Sequence, residues 1–358
     1  MSLDKLRHQI DAVDRVIVAS INRRAAIVKK VGALKRKSNA PVYVPARESQ
    51  VFDRVTGHNR GPISDDAIRA IYREIMSGSI ALEKPVTVAY LGPEASFSHA
   101  AAMHKFGASV SYVAMPDIPA VFTEVAKGHL DYGIVPIENS TEGGVNDTID
   151  MFGSTDLKIL AEIYLRIRHN LLARGSAREV KRIYSKLTVF GQCRHWLATN
   201  LPNAELVETV STTRAAEIAA REKQSAAIAS RMSAEKYALG VLYASIEDCA
   251  NNVTRFFILS RAIQAKVKRS RYKTSLMVAL RDKVGALHDM LVPFKNHHVN
   301  LTRIESRPSR RKAWEYFFFL DFEGFYKDRN PARCIRELQA ATKEVRVLGS
   351  YPRAEVIH

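Results

Sequence analysis

The first 37 residues carry an apolar stripe that is longer than a small helical domain can bury. Its aliphatic side chains recur at near-heptad spacing, at Leu6, Ile10, Val13, Ile17, Ile21, Val28, Val31 and Leu34. This spacing predicts one amphipathic helix over residues 3–37, about 50 Å long. Two shorter helices are predicted over residues 46–58 and 65–82, the second capped by Ser64. Three such helices cannot cover the stripe within one chain, so the pattern predicts an intertwined helical dimer.

The periodicity changes after Lys84-Pro85, where short β-branched strands begin to alternate with helices. Strands are predicted over residues 86–91, 132–137, 204–210, 226–229 and 255–259. This alternation predicts α/β layering with a mostly parallel sheet, and its length allows two lobes around a cleft.

A basic connector at residues 265–271 leads to the last segment, whose predicted order is strand, helix, two strands, helix, strand. That order is typical of a ferredoxin-like α+β module. The sequence therefore predicts a multidomain chain with an all-α domain at 1–84, a two-lobed α/β domain at 86–264 and an α+β domain at 272–358.

The composition favours some partners and locations over others. The formal net charge is +17, but the basic residues are dispersed, which favours a basic surface or recruitment of small polyanions over nucleic-acid binding. Cys193, Cys249 and Cys334 lie far apart without disulfide or zinc spacing, so we expect a reducing, cytoplasmic location. The N-terminal residues resemble no signal peptide, and no apolar run is long enough to cross a bilayer.

Cationic side chains interrupt the apolar stripe. Arg24 stands where another aliphatic residue is due, and Lys35 follows eleven residues later on nearly the same helix face. Arg7 precedes Arg24 by 17 residues, which is roughly 25 Å along a helix. One small ligand can therefore contact both arginines only if Arg7 comes from a partner chain.

This pattern resembles the AroQ-type chorismate mutases. The matching stretches are Leu6-Arg7, Arg24-Ala25, Val31-Gly32 with Lys35, Pro45-Ala46-Arg47-Glu48, and Ser79 with Glu83. The resemblance implies a Claisen rearrangement of chorismate, a dianion, to prephenate, without a nucleophile, a metal or a cofactor. Such an enzyme binds the compact conformer and stabilises charge at the breaking ether bond.

The resemblance also implies roles for single residues. Carboxylate contacts are implied for Arg7 of the partner subunit, Arg24, Arg47 and Ser79. Lys35 is implied to donate to the ether oxygen, and Glu48 to accept from the ring hydroxyl.

Two positions depart from the pattern of other mutases. Val44 stands where some members have Asp, so only its backbone can contact the substrate. Glu83 stands where others have a Gln donor, and a carboxyl group donates only when protonated. We therefore expect a mutase that favours acidic pH.

Polar residues collect at the predicted strand ends of the middle segment. They are Ser96, Ser98-His99, Glu138-Asn139-Ser140-Thr141, Ser211-Thr212-Thr213, Ser230 and Thr254-Arg255. Capping explains any one of these hydroxyls, but ligands of open α/β sheets also bind at strand ends.

The segment resembles prephenate dehydratases, whose fold is similar to that of two-lobed periplasmic binding proteins. The matching stretches are Tyr90–Glu94, Val135–Ser140 with Gly143-Gly144-Val145, Ser211-Thr212 and Asn252–Phe256. The resemblance implies that prephenate loses its ring hydroxyl and carbon dioxide to give phenylpyruvate. It places Thr254 at the leaving hydroxyl, as proton donor or relay, and Arg255 at a carboxylate. Ser96, Asn139, Ser140 and Thr212 are implied to position the dianion.

Some residues of this segment and of the last segment carry no functional expectation. Residues Lys186–Thr188 depart from the family pattern, which leaves their role open. Five histidines have no partners at metal-ligand spacing and are expected to face solvent: His169, His195, His288, His297 and His298.

Two loops of the last segment resemble those of phenylalanine-responsive ACT domains. They are Gly285-Ala286-Leu287-His288, which opens a helix, and Glu305-Ser306-Arg307-Pro308, which ends a strand. The resemblance implies that L-phenylalanine binds as an allosteric effector at Gly285, Ala286, Leu287, Glu305, Ser306 and Arg307. Gly285 lets a ligand approach the backbone, and helix N–H groups suit its carboxylate.

Together the three resemblances cover nearly the whole chain and identify it as similar to the bifunctional chorismate mutase–prephenate dehydratases of phenylalanine biosynthesis. The expected partners are chorismate, prephenate, L-phenylalanine and a second copy of the chain. A two-lobed binding protein for small anions, without catalysis, is the alternative. That alternative leaves Thr254 beside Arg255, and the mutase-like helices, unexplained.

Overall fold

The structure is a computed structural model that describes residues 2–38, 41–262, 266–267, 271–308 and 316–357. The chain forms two compact units. The first unit comprises residues 1–87 and 105–111, and the second comprises residues 88–104 and 112–358.

The first unit is built on the three helices that the sequence predicts. They are α1 (Leu3–Lys37), α2 (Pro45–His58) and α3 (Asp65–Glu83). Ser2 and Ser64 cap α1 and α3 by accepting hydrogen bonds from backbone N–H groups of the first turn. The aliphatic stripe of α1 is exposed in the single chain over most of its length, from Leu6 through Ile21 and again at Val31 and Leu34.

The remaining elements alternate between strands and helices. The helices are α4 (Phe97–Phe106), α5 (Ile118–Lys127), α6 (Asn146–Phe152), α7 (Leu187–Gln192), α8 (Arg194–Asn200), α9 (Thr212–Ala219), α10 (Arg231–Tyr237), α11 (Ala286–Asn296) and α12 (Arg329–Ala341), with a 3-10 turn at Ala177–Glu179. The strands are β1 (Thr87–Leu91), β2 (Ser111–Met115), β3 (Tyr132–Asn139), β4 (Gly143–Gly144), β5 (Lys158–Arg166), β6 (Asn170–Ala173), β7 (Arg182–Ser185), β8 (Glu205–Glu208), β9 (Ser225–Ala229), β10 (Gly240–Tyr243), β11 (Val253–Ser260), β12 (Tyr272–Ala279), β13 (Leu301–Pro308), β14 (Tyr316–Glu323), β15 (Glu344–Pro352) and β16 (Val356–Ile357).

These strands form three sheets. The first has the order β16-β5-β11-β3-β1-β2 with β4 paired to β3, and the second has the order β10-β6-β9-β7-β8. Apart from β16, the strands of both sheets belong to the α/β part of the chain, and they confirm its two-lobed layering. The third sheet, β13-β14-β12-β15, with α11 and α12, confirms the predicted ferredoxin-like order. The predicted strand from residue 313 begins in the structure at Tyr316, and residues 313–315 lie outside the described residues.

The expectation of mostly parallel sheets is wrong, because both lobes are mixed. In the first sheet β11 runs antiparallel to both β3 and β5. The reason is the path of the chain, which leaves the first lobe after β5 and returns to it in β11. As a result, the first residues of β11 pair with the last residues of β3, and Thr254 lies opposite Asn139.

The third sheet shares a hydrophobic core with the first. Phe257 lies 6.1 Å from Phe319 and 6.0 Å from Tyr351 between ring centroids. Phe152 lies 6.0 Å from Phe319. The face of the third sheet away from α11 and α12 therefore packs on the first lobe, and β16 adds to that lobe by pairing with β5.

Candidate functional site

Two basic residues predicted for the mutase site contact α3. The Arg24 guanidinium donates to Ser79 Oγ at 2.5 Å. Lys35 Nζ donates to both carboxylate oxygens of Glu83, at 3.2 and 3.1 Å, and to the Val42 carbonyl at 2.9 Å. The structure therefore brings Arg24, Lys35, Ser79 and Glu83 to the facing sides of α1 and α3.

Gly32 explains how Glu83 comes so close to α1. A Cβ at Gly32 would lie 3.0 Å from Glu83 Cγ, so a larger residue would displace the Glu83 side chain. Glu83 is nearly buried and accepts from Lys35 with both oxygens. Donation from Glu83 to an ether oxygen requires a proton on this carboxylate, so the acidic pH preference stays a prediction.

The start of α2 supplies the remaining residues of the same unit. Val44 precedes α2 without a side-chain cap, and its carbonyl accepts from the N–H groups of Arg47 and Glu48. Glu48 Oε2 accepts from Tyr43 Oη at 2.9 Å and lies 2.5 Å from Lys105 Nζ. Arg47 is exposed and donates to Gln50.

Arg7 is not brought to this group within one chain. It lies on an exposed turn of α1 and contacts Asp4 at 3.5 Å. Its contribution to the site of a partner chain therefore stays a prediction.

A second polar cluster forms where β11 begins beside the end of β3. Asn139 Nδ2 donates to Thr254 Oγ1 at 2.9 Å and to Asn252 Oδ1 at 2.8 Å. Asn252 Nδ2 donates to Gln192 Oε1 at 2.9 Å, and the same oxygen lies 2.7 Å from His169 Nε2. A hydrogen-bond chain therefore runs from His169 through Gln192, Asn252 and Asn139 to Thr254.

The direction of these bonds decides what Thr254 can do. An amide nitrogen only donates, so Thr254 Oγ1 is the acceptor of the bond from Asn139. The hydroxyl proton of Thr254 is not used in that bond and can be donated to a ligand. Thr254 is largely buried, which limits competition from water.

The expectation that His169 faces solvent is wrong, since its side chain is buried. Burial lowers the pKa of the His169 imidazole, with the Gln192 hydrogen bond and nearby Glu247 acting in the opposite direction. The neutral ring then carries its proton on Nε2, facing the Gln192 oxygen that also accepts from Asn252. Gln192 and Asn252 were not predicted as site residues, although Asn252 is the first residue of the matching stretch Asn252–Phe256.

The Arg255 guanidinium has protein partners in this chain, and its contact with a substrate carboxylate stays a prediction. Successive strand residues face opposite sides of a sheet, so Arg255 points away from the Thr254 side. Its guanidinium is buried against Glu162 at 2.7 Å and Asp321 at 2.5 Å, and it donates to Tyr351 Oη at 3.1 Å. Burial opposes its charge, but Asp321, Tyr351 and Glu162 together hold its pKa above the ordinary value.

The hydroxyls of Ser140 and Ser96 have partners within the protein. Ser140 Oγ donates to the Asn251 carbonyl at 2.8 Å and accepts from Val253 N at 2.9 Å, which fixes the entry to β11. Ser96 Oγ donates to the Leu91 carbonyl. Thr212 is the first residue of α9, behind the Ser211 cap. Their predicted contacts with a dianion are proposals.

A cavity of about 530 Å³ adjoins the polar cluster. Its lining includes Gln192 and Asn252 from the hydrogen-bond chain, together with Thr141, Glu142, Thr188, Gly191, His195, Glu247, Asp248 and Cys249. Thr188, from the stretch that departs from the family pattern, therefore lies at this cavity.

The residues predicted for effector binding divide between two places. Gly285 adopts a φ of 78° and opens α11, ahead of Ala286 and Leu287. On β13, Glu305 packs against Gly144 and pairs with Arg303, while the Arg307 guanidinium binds Asp150 at 3.0 and 3.1 Å.

Ser306 lies between Glu305 and Arg307 in the strand and is exposed on the opposite face of the third sheet. The Glu305 and Arg307 side chains thus contact the first lobe in this chain, and their contact with an effector is a proposal.

Three family profiles match the chain. The prephenate dehydratase profile matches residues 88–264, the type II chorismate mutase profile matches residues 6–84, and the ACT domain profile matches residues 274–324. A solved prephenate dehydratase from Arthrobacter aurescens, in complex with L-Phe, superposes with a TM-score of 0.69 at 35% identity. The match covers 75% of this chain and 90% of the Arthrobacter aurescens chain.

Curated relatives extend the similarity over the full length. The bifunctional chorismate mutase/prephenate dehydratases of Aquifex aeolicus and Pseudomonas aeruginosa are each 42% identical to this chain, over 98% of both sequences. The chain therefore belongs to the bifunctional chorismate mutase/prephenate dehydratase family.

Proposed function

We propose that the chain rearranges chorismate to prephenate and then converts prephenate to phenylpyruvate, under feedback inhibition by L-phenylalanine. Mutase activity is assigned to residues 1–84, dehydratase activity to 86–264 and effector binding to 272–358. The main support for the proposal is the hydrogen bond that Asn139 donates to Thr254 Oγ1. Because Thr254 is the acceptor in this bond, its hydroxyl proton is available for the leaving hydroxyl group of prephenate.

Dehydration needs one proton at the ring hydroxyl. As prephenate loses carbon dioxide, the bond between the ring and the departing carboxylate breaks and its electron pair enters the ring. At the same time the bond between the ring and its hydroxyl oxygen breaks. The departing oxygen takes up the Thr254 proton and leaves as water, and aromatisation drives the step. The hydrogen-bond chain from His169 to Asn139 holds Thr254 Oγ1 in place. After the proton transfer, the Thr254 alkoxide regains a proton from solvent before the next turnover.

The rearrangement needs no proton transfer, only binding of a compact dianion. We assign carboxylate contacts to Arg24, Arg47 and Ser79, with the backbone of Val44 nearby. Lys35 and a protonated Glu83 face the ether oxygen, and Glu48 accepts from the ring hydroxyl. These groups would stabilise charge that develops at the ether oxygen in the transition state.

Arg7 of the partner subunit completes the mutase site in this proposal, within a homodimer or larger assembly. The exposed stripe of α1 supports the dimer, since a water-facing aliphatic row of this length is costly for a single chain.

For the effector, we assign L-phenylalanine to Gly285, Ala286, Leu287, Glu305, Ser306 and Arg307. The positive φ of Gly285 and the start of α11 support a carboxylate at the first three. Inhibition requires phenylalanine to bind an inactive state more tightly than the active one.

We also propose a reducing, cytoplasmic location, supported by the unpaired and buried thiols of Cys193 and Cys334. Among the described residues, no helix has the length and apolar character that a membrane span requires.

The test is phenylpyruvate formation from chorismate by the purified chain, with prephenate supplied separately as a second substrate. Conversion of both substrates, suppressed by L-phenylalanine, is expected. Binding of either substrate without turnover would instead support a binding protein. Turnover that ignores phenylalanine would remove the effector proposal alone.

A further inference from the structure

A lysine outside the mutase-like sequence makes the closest contact with Glu48. Lys105 belongs to the first unit, and its Nζ lies 2.5 Å from Glu48 Oε2. The side chains of Lys105 and Glu48 are only 20% and 10% exposed. Lys105 also lies 6.0 Å from the centre of the Tyr43 ring, whose hydroxyl donates to the same Glu48 oxygen.

The backbone after Lys105 is fixed against α3, so the contact does not depend on one long side chain. Ser109 N donates to Ser77 Oγ at 2.9 Å, and Ala108 N donates to Glu74 at 2.8 Å. Gly107 has a φ of 72°, and a Cβ there would lie 2.6 Å from Ser77 Cβ. Only glycine allows this turn to approach α3 so closely.

Aromatic packing fixes the other side of the same segment. The rings of Tyr43 and Phe106 lie 4.7 Å apart, and both side chains are buried. Lys105 is therefore held next to Tyr43 and Glu48 by its own neighbour in the chain. A solvated surface pair has no such support.

We propose that Lys105 is a positioning residue of the mutase site. Lys105 and Tyr43 both bind Glu48 Oε2, which presents Oε1 to the ring hydroxyl of chorismate. The inference rests on the proposed role of Glu48 in the mutase reaction.

This places part of the mutase machinery outside the mutase-like sequence. The chorismate mutase profile ends at residue 84, and Lys105 falls within the stretch that matches prephenate dehydratases. A chain ending at residue 84 would keep Glu48 but lose both Lys105 and the Phe106 ring.

The test compares Lys105→Gln with wild type in the full chain. Chorismate consumption should show kcat/KM reduced roughly tenfold, the effect of losing one charge-assisted contact. Turnover of supplied prephenate should stay within about twofold, and Lys105→Arg should restore most of the mutase activity. A matched control is Lys266→Gln, since Lys266 pairs with Asp328 at 2.5 Å and lies 5.7 Å from the Phe325 ring.

A double-mutant cycle separates positioning from a general structural role. If Lys105 acts through Glu48, then Lys105→Gln should have little further effect in a Glu48→Gln background. Additive losses in the cycle, or wild-type mutase kinetics in Lys105→Gln, would overturn the inference while leaving the proposed function intact. A wild-type chain that turns over prephenate but never chorismate would instead remove the mutase proposal and this inference together.

Discussion

Thr254 owes its position to two amides and one backbone pairing. Asn139 faces it across the β3–β11 pair and donates to its hydroxyl oxygen, while Asn252 fixes the orientation of the Asn139 amide. Thr itself has little acidity, so its usefulness depends on this fixed geometry and on a dry surrounding. A change of one hydroxyl should therefore affect the dehydratase and not the fold.

Thr254→Val keeps the shape of the side chain but removes the proton. We expect the rate of phenylpyruvate formation to fall roughly 100-fold or more, while chorismate is still converted and prephenate accumulates. Product analysis by chromatography measures both steps in one reaction. Thr254→Ser, which keeps the hydroxyl, should retain much of the activity. Loss of the mutase as well would point to a folding defect.

His169 should make the second unit sensitive to acid. Its folded-state pKa lies below the ordinary value of 6.5 because of burial, so the unfolded chain binds more protons. The resulting stability is fully present above pH 6.5 and is lost as the pH falls through the lower, folded-state pKa. The thermal midpoint should drop on acidification, and His169→Gln should reduce that drop. The exposed His288→Gln is the matched control; an equal drop in both variants would contradict the prediction.

At the scale of single elements, the sequence predicted helices and strands better than it predicted the direction of a strand in its sheet or the partners of each strand face. The helices of the first unit and the βαββαβ order follow from periodicity and capping residues that are visible in the sequence. The direction of β11 could not be read, because it depends on a chain path through the second lobe. The partners of Arg255 could not be read either, because alternation separates it from Thr254 but only the packed sheet decides which face meets which partner.

Arg255 links β11 to the third sheet through a buried cluster in which positive and negative side chains nearly balance. Asp321 and Glu162 face Arg255, and Lys273 binds Glu162 at 2.9 Å. Asp321→Asn should lower the free energy of unfolding by on the order of 3 kcal/mol, because it leaves Arg255 under-compensated in a buried place.

Chemical denaturation measures this effect. The same change at an exposed pair gives the control, since Glu323→Gln removes the partner of Arg353 and should cost less than about 1 kcal/mol. Equal losses at Asp321 and Glu323 would show that the buried network contributes nothing beyond surface charge.

We expect a second copy of the chain to pack on helix α1 and to complete the mutase site. Arg7 and Arg24 lie on the same helix, roughly 25 Å apart, and the aliphatic side chains of α1 from Leu6 through Ile21 are exposed in the single chain. Arg7→Ala and Arg24→Ala chains should each have little mutase activity alone. Mixed under conditions that exchange subunits, they should recover part of it, because one site of each heterodimer keeps both arginines. Heterodimers that form without any recovered activity would contradict a shared site.

At the scale of the whole molecule, the α/β lobes and the C-terminal module do not behave as separate bodies. The third sheet contributes Phe319 and Tyr351 to the core around Phe257, and β16 pairs with β5. Arg255 has two of its partners, Asp321 and Tyr351, in the C-terminal module. The C-terminal module therefore contacts the residue next to Thr254 directly.

Truncation before Ser270 tests this interdependence. From the sequence alone, the expectation is a phenylalanine-insensitive dehydratase, provided that the catalytic part survives by itself. The shared core leads us to expect a thermal midpoint lower by roughly 10 °C or more, since the cut exposes Phe257 and leaves Arg255 with fewer partners. Adding Arg255→Met with Glu162→Leu to the truncated chain should recover part of the loss, because those charges are then removed as a pair. Calorimetry on both truncated chains measures the thermal midpoints, and dehydratase assays measure the activity that remains. A simple truncation as stable and active as the full chain would show that the C-terminal module regulates without supporting the fold.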